Sequence, residues 1–263
     1  MTVLQQVCGF LEQFAPRRLA EDWDNVGLLV GDRAQPIERI MTCLTITPAS
    51  VAEAIRERAQ LIVAHHPLPF RPLKTITSDT VAGRMLLELI RGQVAIYSPH
   101  TSFDSAAVGI NQQLAEGLGL TDIQPLQPRV DDPDNLGAGR KGAFAAPLPV
   151  REVVARLKTF LRIDGMHLVG DDAAEVRTAA VACGSAGSFL DAALRAKCDL
   201  FVTGETTFHT CLEAESRGIA LLLPGHYATE RFAVEQLAGV LQKQFPELQA
   251  WASVDEADPL TWI

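Results

Sequence analysis

The feature that most constrains the fold is a regular alternation between short apolar, strand-like runs and segments with helical periodicity. In the first half of the chain, "LIVAHH" and "QVAIYS" are strand-like, whereas "PASVAEAIRERAQ" and residues 81–91 have the apolar spacing of amphipathic helices. The alternation resumes after residue 142 and ends in the strand-like "LQAWASV". Because this order is typical of βαβ units, we predict two α/β domains with mixed sheets flanked by helices.

A segment of different composition interrupts the alternation from about Asp122 to Gly142. It contains "PLQPRVDDPDNLGAGRKG", which is rich in proline, aspartate and glycine and poor in periodic apolar residues. That composition is typical of a linker or crossing loop, so we predict a domain boundary near it. The glycines do not follow a strand and open a helix, which excludes a nucleotide-binding fingerprint. Arg140 could contact a substrate phosphate or belong to a flexible turn.

Charge and cysteine content narrow the class of protein. A net charge of -9 without a Lys/Arg cluster disfavours a nucleic-acid binder that neutralises phosphates. The N-terminal residues have helical periodicity and lack the features of a signal peptide, and no apolar run is long enough to span a bilayer. The five cysteines form no CxxC pair and no zinc-finger spacing. We therefore expect a cytoplasmic protein with reduced thiols.

Polar residues collect at four points where a predicted strand gives way to a helix. In open α/β sheets, ligands bind beyond the carboxyl ends of the strands. The four junctions are "LIVAHHP", "AIYSPHTSFD", "DLFVTGETTFH" and "ALLLPGHYATE". The first has adjacent histidines, and the second and fourth each place a histidine and an acid four residues apart, on one face of a helix. The resulting set is His65, His66, His100, Asp104, His226 and Glu230.

Imidazoles and carboxylates are the ligands that Zn, Fe, Mn, Co or Ni prefer. One ion needs about three protein ligands, so this set predicts two divalent ions that would activate water as a nucleophile. A single histidine at a strand end is more often a hydrogen-bonded residue than a ligand, but the repetition favours metal binding. Thr203 and Glu205 could orient a ligand imidazole or cap a helix. Asp22, Asp24 and Asn25 are better explained as a turn.

These motifs resemble the Nif-three-like family, the homologues of GTP cyclohydrolase 1 type 2. The resemblance extends over nearly the whole chain and includes "WDNVGLLVGD", "GAGRKGAF", "GSAGSFLDAAL" and the blocks HHP, HTxxD and GHYxTE in this order. The chain departs from the family pattern at Ser102, where asparagine is usual, and in having only His209 after the TGE block. Neither difference affects a proposed ligand.

The resemblance implies more than the residues show by themselves. It implies a Nif-three-like fold with a metal site in the interdomain cleft, in a toroidal homohexamer built as a trimer of dimers. The domains would be residues 1–127 with 222–263, and an inserted domain at residues 128–221. His100 would be an acid/base or substrate group beside the metals. The implied metal ligands are His65, His66, Asp104 (as the bridge), His226 and Glu230.

Two functions of different classes fit this pattern. The first is a metal-dependent hydrolase that acts on a C–N bond of a nucleotide or heterocycle, as in GTP cyclohydrolase chemistry, with phosphoester hydrolysis as a second enzymatic option. The other is a non-enzymatic metal-binding ring that acts as a scaffold, metal chaperone or regulatory partner. Only an enzyme needs an open coordination position and an acid/base residue, so His100 discriminates between the two.

Overall fold

The computed structural model describes residues 1–261 and divides into two compact units. The first unit contains Met1–Phe103 and Ala233–Thr261, and the second contains Asp104–Phe232. Residues 262 and 263, the end of the first predicted domain, lie outside the described residues. The limits of the units differ from the predicted domain limits at residues 127/128 and 221/222, which stay a prediction.

The strands and helices follow the predicted alternation. The strands are β1 (Gly27–Val30), β2 (Arg39–Cys43), β3 (Leu61–Ala64), β4 (Ala95–Ser98), β5 (Thr121–Pro128), β6 (Gly137–Pro149), β7 (His167–Val169), β8 (Glu175–Ala182), β9 (Leu200–Thr203), β10 (Ala220–Leu223) and β11 (Gln249–Ala252). The α-helices are α1 (Leu4–Phe14), α2 (Pro48–Arg56), α3 (Val81–Arg91), α4 (His100–Ser105), α5 (Ile110–Gly117), α6 (Val150–Leu161), α7 (Leu190–Arg195), α8 (Phe208–Ser216) and α9 (His226–Gln244).

The sheet of the first unit has the order β1-β4-β3-β2-β11. Strands β4, β3, β2 and β11 are parallel, whereas β1 pairs antiparallel with β4. The central strands are buried along their whole length, as expected for parallel strands covered on both faces. Met41, Ile62 and Ile96 pack in one core with residues of α2 and α3, including Val51 and Leu86.

The sheet of the second unit has the order β5-β6-β8-β9-β10-β7. Strands β8, β9 and β10 are parallel, and antiparallel strands extend the sheet on both sides. Phe201 and Leu221 lie in its core with Leu190 of α7 and Ala214 of α8. Both sheets are therefore mixed and flanked by helices, which confirms the predicted fold class.

Much of the segment predicted as a linker is a pair of strands. Residues 121–128 form β5, which pairs with β6 from Thr121↔Ala143 to Pro128↔Gly137. Its prolines are tolerated because β5 is the edge strand, where one side of the backbone makes no ladder hydrogen bonds. Only residues 129–136 remain a connection between the two strands. The pairing explains why residues 121–127 belong to the second sheet and not to the first.

The helices begin and end for local reasons. In α2, Thr47 accepts a hydrogen bond from the Ser50 amide and Pro48 occupies the first turn, while in α3 Thr80 accepts one from the Gly83 amide. Across residues 1–261, the helices are all too short or too polar to cross a lipid bilayer. All five cysteines are free thiols, and only Cys211 is not buried.

Candidate metal centre

Three neighbouring parallel strands of the first unit end in polar residues. Thr45 follows β2, His65 and His66 follow β3, and His100 follows β4. The strands are paired in register, with Cys43 opposite Ala64 and Val63 opposite Tyr97, so their carboxyl ends meet at one edge of the sheet. One donor atom from each of the three histidines lies within 4.8 Å of the others, a spacing that could hold a metal ion.

Hydrogen bonds fix the rings of two of these histidines. Thr45 Oγ1 lies 2.7 Å from Nδ1 of His66, and Asp24 Oδ1 lies 2.7 Å from Nδ1 of His100. When Nδ1–H donates to such an oxygen, Nε2 carries the lone pair that can bind a metal ion or exchange a proton. Partners of this kind also orient the rings of metal-binding histidines in other proteins.

Asp24 is the residue that organises this part of the site. Its carboxylate accepts hydrogen bonds from the backbone amide and the hydroxyl of Thr101, in addition to its contact with His100. Burial by itself would raise the pKa of Asp24, but the hydrogen bonds from His100 and Thr101 outweigh it and lower that pKa below its usual value. The carboxylate is therefore charged when it faces the imidazole.

The backbone of His100 is strained. Its φ is +30°, a region that non-glycine residues rarely adopt and that costs about 1–3 kcal/mol. The contacts of Asp24 to the His100 ring and to the Thr101 amide hold this conformation in place. Strain of this kind is concentrated at functional sites.

His65 is the most buried of the three histidines. It is 1% exposed, and its ring centroid lies 5.0 Å from that of His66 and 5.1 Å from that of His100. The Ser98 hydroxyl, at the end of β4, donates to the His65 carbonyl over 2.6 Å and ties the ends of β3 and β4 together.

The second unit repeats this arrangement at its own sheet edge. Cys183, Glu205 and His226 follow the parallel strands β8, β9 and β10 within a few residues. On α9, His226 Nε2 lies 3.1 Å from Oε2 of Glu230, four residues later, and His226 Nδ1 lies 3.0 Å from Oε1 of Glu205. The hydrogen bond to Glu230 is the largest influence, and it raises the pKa of His226 to about 9 against the opposing effect of burial.

Gly184, the second residue after β8, is required by the close approach of Glu230. A Cβ atom at this position would lie 2.2 Å from Glu230 Oε1, and the φ of +65° is also unfavourable for other residues. The backbone amide of Gly184 donates to the hydroxyl of Thr229 over 3.1 Å. The Glu230 carboxylate is thus packed directly against the backbone at Gly184, in the turn that follows β8.

Asp104 is held by two neighbours. The Cys183 thiol donates to Asp104 Oδ1 over 3.1 Å. The buried Asn111 amide joins the two residues, because its oxygen accepts from the Cys183 backbone amide at 2.8 Å and its nitrogen donates to the Asp104 carbonyl at 3.1 Å. Burial, reinforced by the charges of Asp104 and Glu230, raises the pKa of the Cys183 thiol well above its usual value. Cys183 is therefore a neutral donor.

Arg140, where the sequence allows a substrate contact or a flexible turn, is instead a buried residue of β6. It is 1% exposed, and its guanidinium donates to the carbonyls of Ser105 and Ala106 at 3.0 and 2.7 Å, directly after Asp104. Further hydrogen bonds reach the carbonyls of Gly137 and Gly139 and the Gln112 side chain. Burial lowers the pKa of Arg140 to about 10. Arg140 thus fixes the backbone that carries Asp104.

The donor chemistry fits a divalent metal ion. The clustered groups are imidazoles and carboxylates, which suit borderline metals, and rings whose second nitrogen is held by Thr45, Asp24 or Glu205 are oriented as metal ligands usually are. The chain therefore holds His/Glu groups that could bind a metal ion.

The comparison with known proteins decides the family. The family model Duf34/NIF3 (NGG1p interacting factor 3) matches residues 2–259. The chain belongs to the DUF34/NIF3 family. This confirms the resemblance inferred from the sequence motifs.

Family members of known sequence match over nearly their full length. The GTP cyclohydrolase 1 type 2 homolog of Clostridium acetobutylicum is 32% identical over 260 residues, which cover 97% of both chains. The NIF3-like protein 1 of Drosophila melanogaster is 31% identical, with 96% of this chain and 87% of the relative covered.

Solved structures of other proteins share the fold. A Bacillus cereus protein related to NIF3 has a TM-score of 0.92 at 22% identity and covers 100% of this chain and 99% of its own. Reduced HcgD from Methanocaldococcus jannaschii has a TM-score of 0.82 at 28% identity, with 95% of this chain and 97% of that chain covered.

Proposed function

We propose that the chain binds two divalent metal ions through His65, His66, Asp104, His226 and Glu230 and uses them for hydrolysis. The observation that carries the proposal is the histidine cluster of the first unit, in which the donor atoms of His65, His66 and His100 lie within 4.8 Å of one another. The His226–Glu230 contact at 3.1 Å in the second unit adds a donor pair of the same chemistry.

The proposed reaction is hydrolysis of a C–N bond in a nucleotide or heterocycle. The relatives named GTP cyclohydrolase 1 type 2 homolog suggest this chemistry, although their name is a label based on homology. When bound, divalent ions would activate water and stabilise the negative charge that develops on an oxygen. Phosphoester hydrolysis is the second enzymatic option, because paired ions also suit phosphoryl displacement.

His100 is the proposed proton-transfer residue. Its Nδ1 faces the charged carboxylate of Asp24, so its Nε2 can accept a proton while Asp24 stabilises the resulting imidazolium. The strained backbone of His100 supports this role, because such strain persists only where the surrounding structure holds it. His65 and His66 would bind the metal ions and fix their position, and this role does not require either histidine to transfer a proton.

The test separates metal binding from turnover. Metal-loaded wild-type protein is incubated with GTP and formate release is measured, with metal content determined on the same samples. His100→Ala is expected to retain metal and to lose about a hundredfold or more in rate. The control is His209→Ala, which removes an exposed histidine on α8 and is expected to keep full activity. Formate release that is equal in His100→Ala and wild type would contradict the assignment.

A non-enzymatic role is the alternative, and the family description as an interacting factor suggests it. A metal-binding scaffold predicts metal retention without turnover of GTP or of phosphoesters.

We also propose a cytoplasmic homohexamer. Light scattering during size exclusion would detect it as about six chains, whereas a monomer would contradict it.

A further inference from the structure

We propose that Trp23 and Phe70 form a stacking site for the planar heteroaromatic ring of the substrate, beside His100. This inference rests on the proposed function, since it specifies how the same site would hold its substrate. Trp23 and Phe70 lie in different loops of the first unit, one before β1 and the other after β3. Neither residue belongs to the predicted metal ligands.

The two rings surround one side of His100. The ring centroids of Trp23 and Phe70 are 6.0 Å apart, and each lies 6.1 Å from the His100 ring. Trp23 is 64% exposed and Phe70 is 47% exposed, so a large part of both aromatic surfaces faces solvent. Large aromatic side chains are usually mostly buried, and exposed ones beside clustered polar groups are typical of ligand sites.

Trp23 is exposed although its loop is firmly held. Its neighbour Asp24 contacts His100 and Thr101, and the Glu21 amide donates to the Thr101 hydroxyl over 3.0 Å. Asn25 Nδ2 donates to the Pro69 carbonyl over 2.9 Å, which connects this loop to the residue before Phe70. Both rings are therefore presented by loops that hydrogen bonds join to each other and to His100.

A heteroaromatic ring fits this surface better than an aliphatic group. A planar base of any identity can stack on an aromatic face without specific hydrogen bonds. Each such contact contributes roughly 1–3 kcal/mol to the binding free energy. Arg71 and Lys74 are exposed and follow Phe70 within four residues, so this loop offers two cations for an anionic substituent on the ring. A nucleotide combines these two properties.

The experiment measures how much the ring contributes to binding. Affinities of manganese-loaded protein for guanosine 5′-monophosphate and for ribose 5-phosphate, which lacks the ring, are compared by calorimetry at up to millimolar concentrations. Trp23→Ala and Phe70→Ala are each expected to weaken binding of the nucleotide about tenfold or more and to leave binding of ribose 5-phosphate unchanged. Trp23→Phe, which retains an aromatic face, should restore most of the loss.

Phe208→Ala is the matched control, because Phe208 is an exposed aromatic residue of α8, outside the first unit. The inference is overturned if the nucleotide binds no better than ribose 5-phosphate, or if neither binds. It is equally overturned if Trp23→Ala leaves nucleotide affinity unchanged and instead alters the oligomeric state, since the pair would then belong to an interface between chains. Failure of the proposed function is measured separately, as a protein that does not retain manganese or that retains it without releasing formate from GTP.

Discussion

Asp24 Oδ1 lies 2.7 Å from Nδ1 of His100, which joins the loop before β1 to the first residue of α4. The same carboxylate holds the amide of Thr101, so one side chain fixes both the imidazole and the strained backbone of His100. Asp24 therefore fixes the position of the His100 ring within the histidine cluster.

We predict that Asp24→Asn lowers turnover by roughly ten- to a hundredfold and leaves manganese binding largely unchanged, because the neutral amide no longer favours the His100 tautomer that presents Nε2 for proton transfer. Calorimetric titration with manganese and the formate assay would measure the two effects separately. The control is Asp79→Asn, whose carboxylate accepts from Thr77 on the surface. An Asp24→Asn protein that matches wild type in both measurements would exclude this role.

Replacement of Arg140 is expected to destabilise the fold. In Arg140→Met, the buried carbonyls that the guanidinium now satisfies lose their donors, and the free energy of unfolding should fall by roughly 3 kcal/mol or more. Urea denaturation of the metal-free protein would show the loss. Arg177→Met, at an exposed position of β8, should change the stability little, and an equal effect of the two substitutions would contradict the structural role.

Metal affinity should rise with pH up to the pKa of His226. Contact with Glu230 raises the pKa of His226 to about 9, so the imidazole is protonated at neutral pH in the metal-free protein. A metal ion must displace that proton, and apparent affinity should therefore increase by up to about tenfold per pH unit until the pH reaches about 9.

The stability of the metal-free fold should change with pH in the opposite direction to the metal affinity. Because the folded-state pKa lies above the ordinary histidine value of 6.5, the His226–Glu230 pair stabilises the metal-free fold fully below pH 6.5 and ceases to do so as the pH rises through about 9. His226→Gln should flatten both dependences. Titrations and thermal unfolding at several pH values would measure them, and profiles of wild type and variant that coincide would refute the assignment.

Glu53 of α2 anchors the segment that follows β11. Its buried carboxylate accepts hydrogen bonds from the Trp251 indole, the Ser253 hydroxyl and the backbone amides of Val254 and Asp255. Burial would raise the pKa of Glu53, but these hydrogen bonds outweigh it and lower the pKa below the ordinary glutamate value of 4.5.

We predict that Glu53→Gln lowers the free energy of unfolding by about 3 kcal/mol at neutral pH, because the amide group turns a donor towards other donors. The stabilisation is present above pH 4.5 and is lost as the pH falls through the lower folded-state value, so the two proteins should converge in acid. Glu57→Gln, which removes a surface ion pair, should cost less than about 1 kcal/mol. Denaturation midpoints across pH test both statements.

The sequence was sufficient to predict the elements that depend on periodicity and the residues at strand ends. His65, His66 and His100 could be found because parallel neighbouring strands must end at one edge, and His226 with Glu230 because four residues bring side chains together on a helix. Asp24 looked like a turn residue, and it does accept from the Asn25 amide as a turn aspartate would. Its second role depends on a contact across 76 positions, for which the sequence carries no local signal.

The sequence also gives no local signal that Asn111 and Cys183 contact Asp104, or that Arg140 holds the carbonyls of Ser105 and Ala106 after it. Arg140 lies in a glycine-rich stretch, and only the pairing of β6 with β8 and its burial reveal that the guanidinium serves backbone carbonyls. Asn111 is an ordinary helix residue in sequence, although its amide bridges Cys183 and Asp104. The TGE motif, by contrast, allows Glu205 to orient an imidazole or to belong to a helix cap, and Glu205 Oε1 lies 3.0 Å from His226 Nδ1.

The most direct test of metal binding is anomalous diffraction from crystals of the full chain grown with manganese or zinc. We expect strong anomalous peaks at about 2.0–2.3 Å from nitrogen atoms of His65 and His66, and their loss in crystals of the double variant His65→Ala/His66→Ala. Wild-type crystals with well-ordered histidine rings and no anomalous peak beside them would contradict the proposal.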